Sequence, residues 1–373
     1  MKKNALNLVV AIALFGMVLS ADAGYIYTGL SSTGNAYAIN NSGQVVGFTY
    51  MPTATATVWN GAIPSNLDTL QGNSSMAYAI NNSGQVAGVS GGYLYSNGGG
   101  YPHATFWSGT GASITDLGTL GGHTSMAYAI NDSGVVAGYS IVAGNTANHA
   151  TLWNGSVMID LGTLGGTHSY AYGINNSGQV VGAADIEGWN PRFGNSRATI
   201  WNGTVATDLG TLGGATSVAT AINNSGQVVG HSDISDNSAQ HATLWNGTTA
   251  TDLGTLGGTN SFATAINSSG QVVGYSEISN GINHAFLWNG TALIDLNSFL
   301  DASMVSAGWV LRVARGINDS GSIVGHAENT TLGIGEAFLM SVTPVPEADT
   351  SAMLLIGLGV VGFMVRRRRN TQA

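Results

Sequence analysis

Seven times the chain returns to one phrase: alanine, a variable residue, alanine or glycine, then isoleucine, asparagine, a serine-glycine turn and a valine-rich run ending in glycine. The isoleucines are Ile39, Ile80, Ile130, Ile174, Ile222, Ile266 and Ile317, spaced 41, 50, 44, 48, 44 and 51 residues apart. A unit of that length fixes the architecture before any single residue is considered. A residue that recurs in every unit is read as part of the frame.

Each unit holds four strand-like segments, illustrated by 76–81, 85–90, 104–107 and 114–117. The first two are joined by Asn82-Ser83-Gly84, whose glycine can take the positive φ of a tight hairpin. The last two are joined by an Asn-Gly pair after tryptophan, as at Trp153-Asn154-Gly155 and Trp245-Asn246-Gly247. A variable polar loop joins the second to the third, so the unit is a four-stranded antiparallel meander. Thr-Leu-Gly-Gly then bends the chain into the next unit, at 119–122, 163–166, 211–214 and 255–258.

Such meanders arranged around an axis make a β-propeller. Residues three and one before each isoleucine are alanine or glycine, from Ala36 and Ala38 to Ala314 and Gly316, which suits an innermost strand crowded at the axis. Paired valines such as Val45-Val46 and Val180-Val181 require cover on both faces, as stacked blades provide. Tryptophans at 59, 107, 153, 201, 245 and 288, with Met340 in the seventh place, are expected between the blades. A solenoid is the rival fold, but four strands per unit and a count of seven favour closure. The last unit has three strands (313–318, 322–327, 336–342) and then meets the tail, while 25–30 is an orphan strand at the other end. Pairing the two leaves no open edge. The expected fold is all-β: a seven-bladed β-propeller of four-stranded antiparallel blades closed by the N-terminal strand, plus a short C-terminal transmembrane helix.

The ends are addresses. Lys2 and Lys3, an apolar stretch and Ala21-Asp22-Ala23 make residues 1–23 a secretory signal peptide, leaving a propeller over 24–343. The segment 344–373 carries Val345-Pro346-Glu347, an uncharged stretch over 352–365 and Arg366, Arg367, Arg368 and Arg369. As a helix that stretch spans roughly 21 Å against about 30 Å of bilayer hydrocarbon, so it is a marginal, transient anchor. The arginines hold its end on the cytoplasmic side. A plain tail anchor would share these features in part. In order and spacing this tail resembles the PEP-CTERM sorting signal, which implies a Gram-negative bacterium, an exosortase-type processing enzyme, and passage through the inner membrane to the cell surface or medium.

Between the two addresses, 24–345 contains no lysine, four arginines (Arg192, Arg197, Arg312, Arg315) and sixteen acidic residues. That charge disfavours nucleic acid, which needs a basic face. Cysteine is absent, which excludes disulfides and thiol chemistry. The repeat, with His-Ala-x-Leu-Trp-Asn-Gly, Asp-Leu-Gly-Thr-Leu-Gly-Gly and Ala-Ile-Asn-x-Ser-Gly, resembles the HAF repeat of bacterial extracellular proteins, seen literally at His284-Ala285-Phe286. The resemblance implies location and architecture and no particular reaction.

The repeated polar residues read as frame. His103, His149, His241 and His284 share one position in four blades and point in different directions around a ring, so they do not converge as metal ligands. Asp116, Asp160, Asp208, Asp252 and Asp295 are expected to accept backbone hydrogen bonds at the crossovers. The Asn-x-Ser-Gly turns, with Asp132 and Asp319 in two of them, lack the alternating oxygen ligands of a calcium loop. No catalytic residue, metal site or cofactor is assigned. Variation lies in the loops 91–101, 141–148, 185–196, 233–240, 277–283 and 328–335, which share the crossover face. There Asp185, Glu187, Trp189, Arg192 and Phe193 group carboxylates, aromatics and a cation of the kind that reads sugar rings. The expected function is binding of extracellular polysaccharide or another envelope component in a matrix or biofilm. A propeller hydrolase or lyase acting on such polymers is the alternative, and it requires two convergent carboxylates, or one with a tyrosine or histidine.

Overall fold

The computed structural model describes residues 24–50, 52–70, 74–91, 100–109, 113–188 and 196–343. Its strands form seven four-stranded antiparallel sheets. The fourth blade is representative, with Gly165–Ile174 innermost, then Gln179–Ile186, Ser196–Asn202 and Val205–Asp208 outermost. The seventh blade has Trp309–Ile317, Ile323–Asn329 and Ile334–Val342 from its own unit, and Tyr25–Ser31 as the outermost strand. That strand runs antiparallel to Ile334–Val342, in register from Tyr25 opposite Val342. The orphan segment therefore closes the ring. Among the described residues no helix is long and apolar enough to cross a membrane, and the expected helix over 352–365 lies outside them.

The hairpins follow from their glycines. Gly43, Gly84 and Gly178 take φ near +80° in the first turn. In the outer hairpins Asn202 is still paired with Val205, and Gly203 alone takes positive φ, at 60°. The loop is therefore glycine followed by one residue, the II′ pattern, with the preceding asparagine inside the strand.

Packing between blades uses the paired valines. Val45 packs with Trp59 against Leu339 of the seventh blade, while Val46 packs with Val58 against Trp107 of the second. Trp59, Trp107, Trp201 and Trp245 are fully buried in such seams, and Met340 fills the seventh place. Trp288 departs from this, being half-buried while Phe286 fills the sixth seam. Serine hydroxyls staple the same seams: Ser169 Oγ accepts the Ala150 N–H at 2.9 Å and donates to Gly162 O at 2.6 Å.

Every innermost strand carries a β-bulge at the same place. The register slips between Ala36 and Ala38, between Ala171 and Gly173, and likewise in the other five blades. The slip changes the expected role of the small residues. Ala36 and Ala171 lie buried between blades, whereas Ala38 and Gly173 line the central channel. Strict alternation would send both to one side, and the extra residue breaks that parity. The bulge also explains the glycine that ends the valine run. A Cβ on Gly182 would stand 1.8 Å from Tyr170 O, and one on Gly47 would stand 1.8 Å from Asn35 O.

Candidate binding face and central channel

The loop face places the sequence-derived candidates as follows. Asp185 is buried, and its Oδ2 accepts the His168 N–H at 3.1 Å within its own blade. Asp233 and Glu277 do the same work one and two blades on, accepting the Thr216 N–H at 3.0 Å and the Asn260 N–H at 3.2 Å. This position braces the crossover. Glu187 is exposed beside it, and Trp189, Arg192 and Phe193 lie outside the described residues.

The outer rim carries a repeated clamp. Nδ1 of His103, His149, His241 and His284 lies 2.6–2.8 Å from an oxygen of Asp116, Asp160, Asp252 and Asp295 respectively. The other oxygen of Asp160 accepts the Gly162 N–H at 2.8 Å, the crossover bond expected from sequence. In the fourth blade Arg197 stands in for histidine, 3.6 Å from Asp208. Each clamp is confined to its own blade.

Sequence reasoning missed the channel. The bulge delivers the variable middle letter of the repeated phrase to the axis: Tyr37, Tyr78, Tyr128 and Tyr172 on four consecutive blades, Thr220 and Thr264 on the next two, and Arg315 on the seventh. These residues line a cavity of about 290 Å³. Tyr37, Tyr78, Tyr128 and Tyr172 are in ring contact in sequence, with centroids 5.2, 5.4 and 5.5 Å apart. Tyr139 and Tyr170 extend the wall, 5.2 Å apart. Burial pushes the Tyr128 phenol far above its ordinary range and the Tyr172 phenol up to about 12, so both remain protonated donors. Thr220 Oγ1 donates to the Ala263 carbonyl at 2.8 Å and Thr264 Oγ1 to the Ala314 carbonyl at 2.8 Å, which ties these hydroxyls to the frame.

Arg315 is the cation of this cavity. Its guanidinium carbon lies 5.0 Å from the Tyr37 ring centroid, and its Nε is buried without a hydrogen-bond partner. His326, also nearby, is held below the ordinary histidine range first by burial and then by the Arg315 charge. The signal was present in the sequence as the letter between the two small residues of the phrase, which is tyrosine in four units, threonine in two and arginine in one.

Seven isoleucines form the waist between this cavity and a second, of about 190 Å³, at the turn face. There the repeated asparagines join every blade to the next. Nδ2 of Asn40, Asn81, Asn131, Asn175, Asn223, Asn267 and Asn318 donates to the following blade's asparagine carbonyl at 3.0–3.2 Å, and Asn318 closes onto Asn40. Asp132 and Asp319 sit in the next layer. Burial alone would raise the Asp132 pKa, but donation from the Asn82 N–H and from the Asn176 and Asn82 side chains holds it below the usual range. Its carboxylate oxygens are thus engaged by amides, as a structural acceptor requires.

Residues 344–369 match the PEP-CTERM protein-sorting motif. The tail is a PEP-CTERM sorting signal. It contains Val345, Pro346, Glu347 and the four arginines from Arg366 to Arg369, and it marks an exported surface protein that an exosortase processes. The chain matches no curated protein. Among solved structures it is similar to TolB from Acinetobacter baumannii, at 10% identity over 85% of this chain and 80% of that one, with a TM-score of 0.42. It is also similar to acylaminoacyl peptidase from Pyrococcus horikoshii, at 12% identity over 79% of this chain, with a TM-score of 0.46. The matched region spans half the length of that peptidase chain.

Proposed function

We propose that the protein is a non-catalytic, exported HAF-repeat propeller that binds extracellular polysaccharide of a cell-surface matrix or biofilm through its variable-loop face. Residues 1–23 direct export, 352–365 hold the chain transiently in the inner membrane, and processing at the sorting signal frees residues 24–343 as the working propeller. The observation that carries the binding reading is the aromatic lining of the loop-side cavity. Tyrosine offers a flat apolar face for a sugar ring and a hydroxyl for its polar rim at little entropic cost. The letter of the repeated phrase that lines this cavity changes from blade to blade, while the small residues flanking it are alanine or glycine throughout.

Binding is favoured over hydrolysis by how the carboxylates are used. A glycosidase needs an acid pair about 5–9.5 Å apart across a scissile bond. Asp185, Asp233 and Glu277 instead hold backbone N–H groups of their own blades. The test is affinity electrophoresis of the processed protein through gels containing acidic or neutral extracellular polysaccharides. Retardation in at least one gel, with no new reducing ends released, is the expected result. Free migration in all of them overturns the binding reading, and release of oligosaccharides replaces it with the hydrolase or lyase.

A further inference from the structure

We infer that the loop-side cavity is a subsite for a carboxylate-bearing sugar at the end of a glycan chain, stacked on the tyrosine wall and read by Arg315. The inference rests on the polysaccharide-binding reading above and names the unit and the residue that selects it.

The first argument is electrostatic isolation. Between the two addresses the chain has four arginines against sixteen acidic residues. Among the described residues, Arg312 Nε lies 2.7 Å from Glu328 and Arg197 lies 3.6 Å from Asp208. Arg315 stands over Tyr37 instead, with its Nε dehydrated and unbonded. A buried guanidinium donor without an acceptor costs stability, and a frame that accepts tyrosine or threonine at this letter has no structural need for it. Arg315 as a whole is half-buried and lines the cavity, and among the described residues it forms no ion pair, so an incoming carboxylate meets the remainder of the guanidinium in a charge-assisted geometry that suits guanidinium better than ammonium.

The second argument is shape. Four tyrosines occupy consecutive blades, so one side of the cavity is aromatic while Arg315 stands at the end of that wall, next to Tyr37. A pyranose ring can stack against the wall while a carboxylate on its edge turns to the guanidinium. At about 290 Å³ the space is at the lower bound of small-molecule sites, enough for one ring. The isoleucine waist lies beneath it, so the sugar enters end-on from the loop face. End-on entry also limits the repulsion between an anionic polymer and the acidic propeller, because only the terminal unit is brought into the ring.

The test measures binding of short uronate oligomers (galacturonate, glucuronate, mannuronate and guluronate) and their carboxyl-reduced counterparts by calorimetry. The proteins compared are the processed wild type, Arg315→Thr and Arg315→Lys. Threonine is what two other blades carry at this bulge, so the variant keeps a side chain the frame already accommodates; a thermal melt checks this. At least one uronate series is expected to bind the wild type tenfold or more tightly than its reduced form. Arg315→Thr should abolish that preference while leaving weak binding of the reduced form, and Arg315→Lys should restore it in part. The inference is overturned if no uronate binds, if reduction changes nothing, or if folded Arg315→Thr keeps the preference. Retardation by a neutral polysaccharide alongside any of these outcomes leaves the binding function standing and removes this subsite.

Discussion

His231 shows how a residue in the frame sets a pH limit on it. It occupies the second strand of the fifth blade, with its ring 4.9 Å from Phe262 and its Nδ1 buried without a partner. Burial brings its pKa down to about 4, and the nearby Asp233 carboxylate only partly offsets this. The folded protein therefore holds the neutral imidazole, while the unfolded chain protonates near 6.5. Its contribution to stability is complete above pH 6.5 and is lost as the pH falls from there towards 4. Phe48 fills the same place opposite Asn35 in the first blade, so His231→Phe is a substitution the frame accepts. Between pH 7 and pH 5 the wild type should lose about 1–2 kcal/mol more than His231→Phe, since one proton across one pH unit is worth about 1.4 kcal/mol. Urea-unfolding midpoints at the two pH values measure the difference. Equal losses would show that the imidazole is not held neutral.

At the scale of the strand, the β-bulge connects sequence to site. It needs a glycine opposite it, because the slipped carbonyl points where a side chain would stand. Gly182 meets that requirement across from Tyr170 at ordinary negative φ, so its role is steric and not conformational. Gly182→Ala should cost about 3 kcal/mol, the upper part of the range for overpacking. Gly203→Ala, at a φ of 60° with open space around it, should cost about 1 kcal/mol. Thermal unfolding of the two variants separates them, and equal costs would mean that the close approach is relaxed at no expense. The phrase that ends in this glycine was legible as a repeat, but the reason for the glycine was not. A bulge leaves no composition of its own, and alternation read through it assigns the faces wrongly on one side of the slip. That is why Ala36 and Ala38 were both expected at the axis, and why Tyr37 between them was passed over. The variable loops were the natural place to look for function, yet Asp185 proved to be a brace shared with Asp233 and Glu277.

For the whole molecule, the count of seven and the orphan strand were enough to foresee closure, because both are arithmetic on the repeat. What the sequence could not show is that the ring closes twice. Tyr25–Ser31 completes the last sheet at the outer edge, and the Tyr27 hydroxyl donates to Glu336 there. At the axis the asparagine ring passes from the seventh blade to the first through Asn318 and Asn40 at 3.1 Å, the same spacing as between blades joined by the chain. Equal geometry implies that the seam joining the chain ends carries no more strain than any other. Asn175 Oδ1 accepts the Gln179 N–H at 3.0 Å, and Asn318 Oδ1 accepts the Ser322 N–H at 2.9 Å, so each residue holds its own turn as well as its neighbour. Truncating either removes the bond to the next blade, whose asparagine carbonyl keeps the glycine N–H of its own turn, and leaves the Gln179 or Ser322 N–H without its acceptor, so it should cost about 2 kcal/mol. Asn175→Ala and Asn318→Ala are therefore expected to lower stability by amounts that agree within about 0.5 kcal/mol, in single cooperative urea transitions. A much smaller loss for Asn318→Ala would mean that the closing seam is already loose. Two separate transitions in that variant would mean that the outer strand, and not the axial ring, holds the propeller shut.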